Sequence, residues 1–184
     1  MASTSTRVGA LALAVLFIAT SVGVSLIIIY QMRHDDKQAA SSTTTSTTCT
    51  ALLTPKAGTP LQGTKLENFT PVEKIDTLQK IDTVPGTGAE VKAGDTVTAH
   101  YTGAVAATGV IFQSSHDTGQ PATFPLSQVI AGWTQGVPGM KVCGTRRLLI
   151  PASLAYGANP PQGAGIPANA DLVFDIEMVE TKTP

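Results

Sequence analysis

The sequence has few charged residues, few histidines and only two cysteines. Charged residues make up 14% of the 184 residues, against about 25% in a typical globular chain. The formal net charge is −1, so no basic surface attracts phosphate backbones, and nucleic acid is not an expected partner. The histidines (His34, His100 and His116) are scattered, and Cys49 and Cys143 are far apart. Because no metal-ligand spacing appears, we expect no metal and no other cofactor.

An apolar stretch without one charge, residues 8–30, follows a short N-terminal tail, residues 1–7. At about 1.5 Å per residue, a helix of this length crosses a hydrocarbon core of about 30 Å. We therefore predict a transmembrane anchor. A cleaved signal peptide and a buried helix are the alternatives. The first would have a shorter apolar stretch, about 7 to 15 residues, followed by a small-residue cleavage site, which residues 31–36 do not supply.

Residues 31–64 are predicted to form a flexible linker. Residues 41–48 are an unbroken run of serine and threonine, and residues 50–64 hold two prolines and two glycines beyond it with little to bury. Such a composition cannot offset its own ordering entropy. Basic residues flank the apolar stretch almost evenly, so the charge rule does not set its orientation. Stalks of this kind usually separate a membrane from a domain outside the cytoplasm, so we expect a single-pass protein with an extracytoplasmic C-terminal domain.

In an oxidising compartment, Cys49 and Cys143 could form a disulfide that joins the linker to the folded domain. Such a bond typically stabilises a protein by about 2 to 4 kcal/mol. Two unrelated thiols are equally compatible with the sequence, because the distance between the two residues cannot be read from it.

The folded domain is predicted to cover residues 82–184, preceded by a lead-in of uncertain structure at residues 65–81. Residues 95–103 alternate between apolar and polar side chains, as in a half-buried strand, and residues 172–180 do so even more clearly. Shorter strands are predicted at residues 110–113, 122–126 and 146–151. Ser127 is a candidate N-cap for a short helix with Trp133 on its apolar side. Strands around one short helix predict an α+β domain with an antiparallel sheet curled over that helix.

Ten short motifs follow one another through this domain. They are GTG at 86–88, GD at 94–95, HYTG at 100–103, FQSS at 112–115, VIAGW at 129–133, GVPGM at 136–140, IP at 150–151, AYG at 155–157, IP at 166–167 and LVF at 172–174. In this order and spacing they resemble the FKBP-type peptidyl-prolyl cis/trans isomerases. The resemblance extends over residues 82–179 and implies a five- or six-stranded antiparallel sheet wrapped around the helix.

The resemblance also implies a pocket lined by aromatic rings. Its catalytic residues would be Tyr101, Phe112, Trp133, Tyr156 and Phe174. Its substrate-binding residues would be Gln113, Phe124, Val129, Ile130 and Ile166. The indole would form the floor, and the Ile130 N–H and the Tyr156 hydroxyl would hydrogen-bond ligand carbonyls. Without the resemblance, rings such as Phe124 and Phe174 could equally be core filler.

The implied function is isomerisation of Xaa-Pro bonds in exported or surface proteins, with proline-containing polypeptides as partners and macrolides such as rapamycin as possible ligands. Two residues depart from the family pattern: Gln113 stands where an aspartate is common, and Ala122 where a bulky aromatic residue often lies. Both could lower turnover or macrolide binding. The alternative function is therefore a peptide-binding or chaperone module with weak turnover.

Overall fold

The computed structural model describes residues 60–184. The apolar residues 8–30, Cys49 and nearly all of the predicted linker lie outside the described residues. Within residues 60–184, no helix has the length and apolar character needed to span a bilayer. The membrane anchor and the disulfide between Cys49 and Cys143 stay predictions.

Six antiparallel strands in the described residues form one curled sheet, and a short helix packs against it. The strands are β1 (Gln79–Val84), β2 (Thr96–Val105), β3 (Ile111–Ser114), β4 (Ala122–Pro125), β5 (Thr145–Ile150) and β6 (Leu172–Lys182), and the helix is α1 (Ala131–Gly136). Two 3₁₀ turns cover Ser115–Asp117 and Ala152–Leu154. The sheet order is β1-β5-β6-β2-β3, and β4 also pairs with β2. The predicted α+β class and curled antiparallel sheet are confirmed.

The helix lies on one face of the sheet, here called the inner face, because two of its glycines allow a close approach. A Cβ atom on Gly136 would lie 2.7 Å from the Leu148 side chain, and one on Gly132 would overlap Ile150. Both leucine and isoleucine are fully buried on β5. Trp133, which lies between the two glycines in the helix, is therefore buried between the helix and the sheet.

The helix begins later than the sequence suggests. Its N-cap is Ile130, which makes no side-chain capping bond, and not the predicted Ser127. The N–H of Gln128 donates to the Pro125 carbonyl at 2.9 Å, so the chain first makes a turn. That turn satisfies the local backbone and leaves Ser127 without a helix to cap.

Strand β1 is absent from the predictions because its side chains carry no burial pattern: all six residues are exposed. It is held by backbone pairing with β5 and by a bidentate ion pair. Arg146 Nε donates to Asp82 Oδ1 at 2.6 Å, and Nη2 donates to Oδ2 at 2.9 Å. Such bonds leave no periodicity in the sequence.

Residues 61–66, here called the N-terminal arm, run along the outer edge of β3. The Gly63 N–H donates to the Ile111 carbonyl, and the Ile111 N–H donates to the Thr64 carbonyl, both at 2.8 Å. Leu66 is buried in a small cluster with Ala104, Ile111 and Val173. Residues 61–64, grouped with the linker in the sequence, are thus attached to the sheet.

Candidate active site

Aromatic rings from β2, β3, β4, β6 and α1 meet around one cavity of about 250 Å³. Trp133 is one of its lining residues and is buried. The indole makes edge contacts with three rings at centroid distances of 5.8 Å to Tyr101, 5.5 Å to Phe124 and 5.5 Å to Phe174. Edge-to-face packing of this kind is a favoured arrangement of aromatic pairs. The cavity therefore has walls of mutually packed aromatic rings.

Strand alternation and one glycine explain how the rings come together. Tyr101 and Phe174 lie on the inner face of β2 and β6, and both are buried. Gly103 pairs with Phe174 across the sheet. A Cβ at Gly103 would lie 2.6 Å from Phe112 and 2.7 Å from Phe174. Because glycine has no Cβ, these two rings can meet edge to face at 5.7 Å.

The polar groups of the residues that line the cavity include tyrosine hydroxyls, glutamine amides and the backbone N–H of Ile130. Burial raises the pKa of Tyr156. Burial also raises the pKa of Tyr101, with a smaller contribution from Tyr156. Both hydroxyls are therefore protonated at neutral pH and can donate a hydrogen bond. Among residues 60–184, no acceptor is found for the N–H of Ile130, which borders the cavity.

Nine of the ten site residues named from the sequence line this cavity. The exception is Ile166, which lines a neighbouring cavity that shares Phe112, Gln113 and Tyr156 with the first. The structure thus brings the named residues together, while their catalytic and binding roles stay predictions. Ala122 packs against the main core and contributes no lining.

Gln128 also lines the cavity, although the sequence reasoning did not name it. In the predicted helix from Ser127, the side chains of Gln128, Val129 and Ile130 would point in different directions around the helix axis. In the turn that actually forms, Gln128, Val129 and Ile130 border the same cavity. Its position directly before two implied pocket residues was the signal that could have found it.

The lining residues include no carboxylate, imidazole, amine or thiol. Within the described part of the chain, no group of three or more metal-ligating side chains is placed to hold a metal ion. The lining therefore offers apolar ring surfaces and neutral hydrogen-bond donors. Those capabilities suit a rotation about a bond, which needs no proton transfer.

Comparisons with known proteins identify relatives of the part of the chain that carries this cavity. The model of the FKBP-type peptidyl-prolyl cis-trans isomerase family matches residues 88–179, half of the chain. A "Probable FK506-binding protein" of Corynebacterium glutamicum is 48% identical over 99 residues, which cover 53% of this chain and 81% of that protein. The FKBP-type isomerase FkpA of Aeromonas hydrophila is 53% identical over 100 residues, 54% of this chain and 36% of that protein. The chain thus matches about a third of the Aeromonas protein.

Solved structures show the same fold. The crystal structure of a peptidyl-prolyl cis-trans isomerase from Pseudomonas syringae pv. tomato superposes with a TM-score of 0.53 at 34% identity, covering 61% of this chain and 80% of that one. FkpA from Escherichia coli superposes with a TM-score of 0.53 at 36% identity, covering 64% and 53%. By sequence and fold, the chain belongs to the FKBP-type peptidyl-prolyl cis-trans isomerase family.

Proposed function

We propose that the aromatic cavity isomerises Xaa-Pro bonds by binding the twisted imide away from water. The observation that carries the proposal is the convergence of Tyr101, Phe124 and Phe174 on the indole of Trp133. Together these rings line a cavity of about 250 Å³, large enough for a prolyl ring. The indole would form the floor on which that ring rests.

The physical argument starts from the barrier to rotation. C–N resonance sets this barrier at about 18 to 20 kcal/mol, and an uncatalysed prolyl bond crosses it in tens of seconds or more. Resonance places partial negative charge on the amide oxygen, which water solvates best in the planar form. A dry apolar site withdraws that solvation and fits the twisted form better, so binding favours the transition state.

Two donors would orient the substrate while it rotates. The Tyr156 hydroxyl stays protonated because burial raises its pKa, and the N–H of Ile130 borders the same cavity. Each can donate to a carbonyl of the bound peptide. Holding the flanking carbonyls fixes one side of the bond while the other side turns.

The proposed substrates are exported or surface proteins, with the chain anchored in a membrane through residues 8–30. The support is the uncharged length of that stretch and the serine- and threonine-rich linker after it. The proposal places the isomerase domain on the extracytoplasmic side. Protease accessibility of the domain on intact cells tests it, and protection of the domain until the membrane is opened would contradict it.

The relative from Corynebacterium glutamicum is named for FK506 binding, and we extend macrolide binding to this chain as a proposal. The aromatic cavity would take the apolar part of a macrolide such as rapamycin. Gln113 at the rim supplies a neutral amide, and we expect it to weaken the complex compared with relatives that carry an aspartate there.

The test uses a blocked tetrapeptide with one Xaa-Pro bond, followed by NMR exchange between its cis and trans forms. The full chain should accelerate the exchange, and Trp133→Leu should reduce kcat/KM by more than tenfold. Circular dichroism checks that the variant is folded. A folded wild-type chain that binds the peptide without accelerating the exchange would instead support the second candidate, a peptide-binding module, which Gln113 in place of a carboxylate favours.

A further inference from the structure

A second cavity of about 340 Å³ adjoins the aromatic cavity around Trp133, from here on called the prolyl cavity. The two cavities share three lining residues, Phe112, Gln113 and Tyr156. One further wall comes from the loop before β6, through residues such as Gln162 and Ile166. Another comes from Gln62 of the N-terminal arm. A peptide that leaves the prolyl cavity over Gln113 therefore enters a space that the arm helps to enclose.

The arm is fixed at this place by backbone contacts. The carboxylate of Asp117 accepts hydrogen bonds from the N–H of Leu61 at 2.6 Å and from the N–H of Gln62 at 3.3 Å. Beyond Gln62, the arm pairs with Ile111 and buries Leu66. Gln62 is exposed and its backbone is held, so its side-chain amide is within reach of a ligand in the second cavity.

The lining of the second cavity has a distinct chemistry. Three of its residues are glutamines (Gln62, Gln113 and Gln162), and none of its lining residues carries a charge. A primary amide offers both a donor and an acceptor. Such groups match the N–H and C=O groups of an extended peptide backbone and place no demand on the charge of its side chains.

We infer that the N-terminal arm completes a second peptide subsite, in which Gln62 hydrogen-bonds backbone groups of the substrate that lie further from the prolyl bond than a tetrapeptide extends. The inference rests on the proposed function and adds to it a class of substrate: extended chain segments longer than a tetrapeptide, with no requirement on the charge of their side chains. A short peptide fills the prolyl cavity alone. A longer one reaches the arm.

The test compares two substrates on the full chain, kept in mild detergent because of its apolar residues 8–30. One is a blocked tetrapeptide, and the other is a dodecapeptide with the same tetrapeptide at its centre. Gln62→Ala should leave kcat/KM for the tetrapeptide unchanged and lower kcat/KM for the dodecapeptide about three- to tenfold, as expected for one lost hydrogen bond. Gln79→Ala, a change of an exposed glutamine on β1 that lines neither cavity, is the matched control and should change neither value.

Asp117→Ala should reproduce the loss for the long peptide, because it removes the acceptor for both arm N–H groups. Gln62→Glu adds a readout that a purely structural role would not move. In this variant, kcat/KM for a dodecapeptide that carries a lysine outside the central tetrapeptide should exceed kcat/KM for the neutral dodecapeptide by about two- to fivefold.

The outcomes separate the two ideas. If the wild-type chain accelerates both peptides and the ratio of kcat/KM for the long peptide to kcat/KM for the short one is the same in Gln62→Ala, the arm subsite is overturned. The proposed function then still stands. A folded wild-type chain that accelerates neither peptide overturns the proposed function and the subsite together. A selective loss for the long peptide in both arm variants supports the subsite.

Discussion

The two faces of the sheet are built from different chemistry. The inner face carries the rings that surround Trp133, joined by edge contacts between aromatic groups. The opposite, outer face carries hydrogen-bonded polar groups and an ion pair, Arg147 with Asp175. The same strands supply both faces, since successive side chains point to opposite sides. The comparison predicts that substitutions on the inner face change activity, whereas substitutions on the outer face, which contacts the arm, change stability.

The two faces meet through the backbone of β2. The buried hydroxyl of Ser115 accepts a hydrogen bond from the N–H of Tyr101 at 2.9 Å and lies 3.1 Å from Nδ1 of His100. Thr102 and Ser114 pair their hydroxyls at 2.9 Å on the outer face. The backbone of Tyr101, whose ring lines the cavity on the inner face, is thus hydrogen-bonded to the polar network on the outer face. Substitutions on each face test whether activity and stability can be changed separately.

The largest effect is expected for Gly103→Ala. The added methyl group would lie 2.6 Å from Phe112 and 2.7 Å from Phe174, so both rings must move. Overpacking of this kind costs up to about 3 kcal/mol. Since both rings line the prolyl cavity, kcat/KM for a short Xaa-Pro peptide should fall at least tenfold.

Chemical denaturation and the exchange assay measure the two effects of Gly103→Ala. Ala107→Ser, at an exposed position beyond the end of β2, serves as a control and should change neither. A variant with full activity would show that the positions of Phe112 and Phe174 do not matter to catalysis.

Arg147→Ala should lower stability by about 2 kcal/mol and leave activity on a short peptide unchanged. The guanidinium donates to Asp175 at 2.6 and 2.7 Å and to the Asn68 carbonyl at 2.6 Å, and it lies over the Phe69 ring at 5.6 Å. Without Arg147, the partly buried carboxylate of Asp175 loses this ion-pair partner, which accounts for the expected loss of stability.

Lys74→Ala is the control for Arg147→Ala, because its ion pair with Asp76 is about four-fifths exposed on both sides. Exposed pairs contribute little, so thermal unfolding should hardly change. A marked loss of peptide turnover in Arg147→Ala, with stability intact, would show that an outer-face residue affects activity directly.

Tyr156→Phe should have a smaller and more selective effect. It removes one hydroxyl that borders the prolyl cavity and keeps the ring. Losing one hydrogen bond to a substrate carbonyl lowers kcat/KM about three- to tenfold. The melting temperature should stay within about 2 °C of wild type, because the half-buried ring is kept and only its hydroxyl is lost. Unchanged kinetics would remove Tyr156 from the orienting role.

The sequence predicts the inner face better than the outer one, for a physical reason. Residues 95–103 and 172–180 alternate because one side is buried, and that periodicity locates β2 and β6 and places Tyr101 and Phe174 on one face. β1 and the N-terminal arm are held by backbone hydrogen bonds and by single carboxylates such as Asp117. Those contacts join residues far apart in the chain and produce no local pattern, so Gln62 could not be found from the sequence.

The smallest effect concerns pH and the buried His100 on the outer face. Burial lowers the pKa of His100, the stacked ring of His116 lowers it further, and Glu177 opposes the shift. A lowered pKa in the folded state means that the unfolded chain takes up a proton first. Stability is therefore full above about pH 6.5, the ordinary histidine value, and is lost as pH falls below it through the folded pKa. The melting temperature should fall between pH 7 and pH 5, and fall less in His100→Gln. Equal slopes in the two proteins would show that His100 does not carry the acid sensitivity of the outer face.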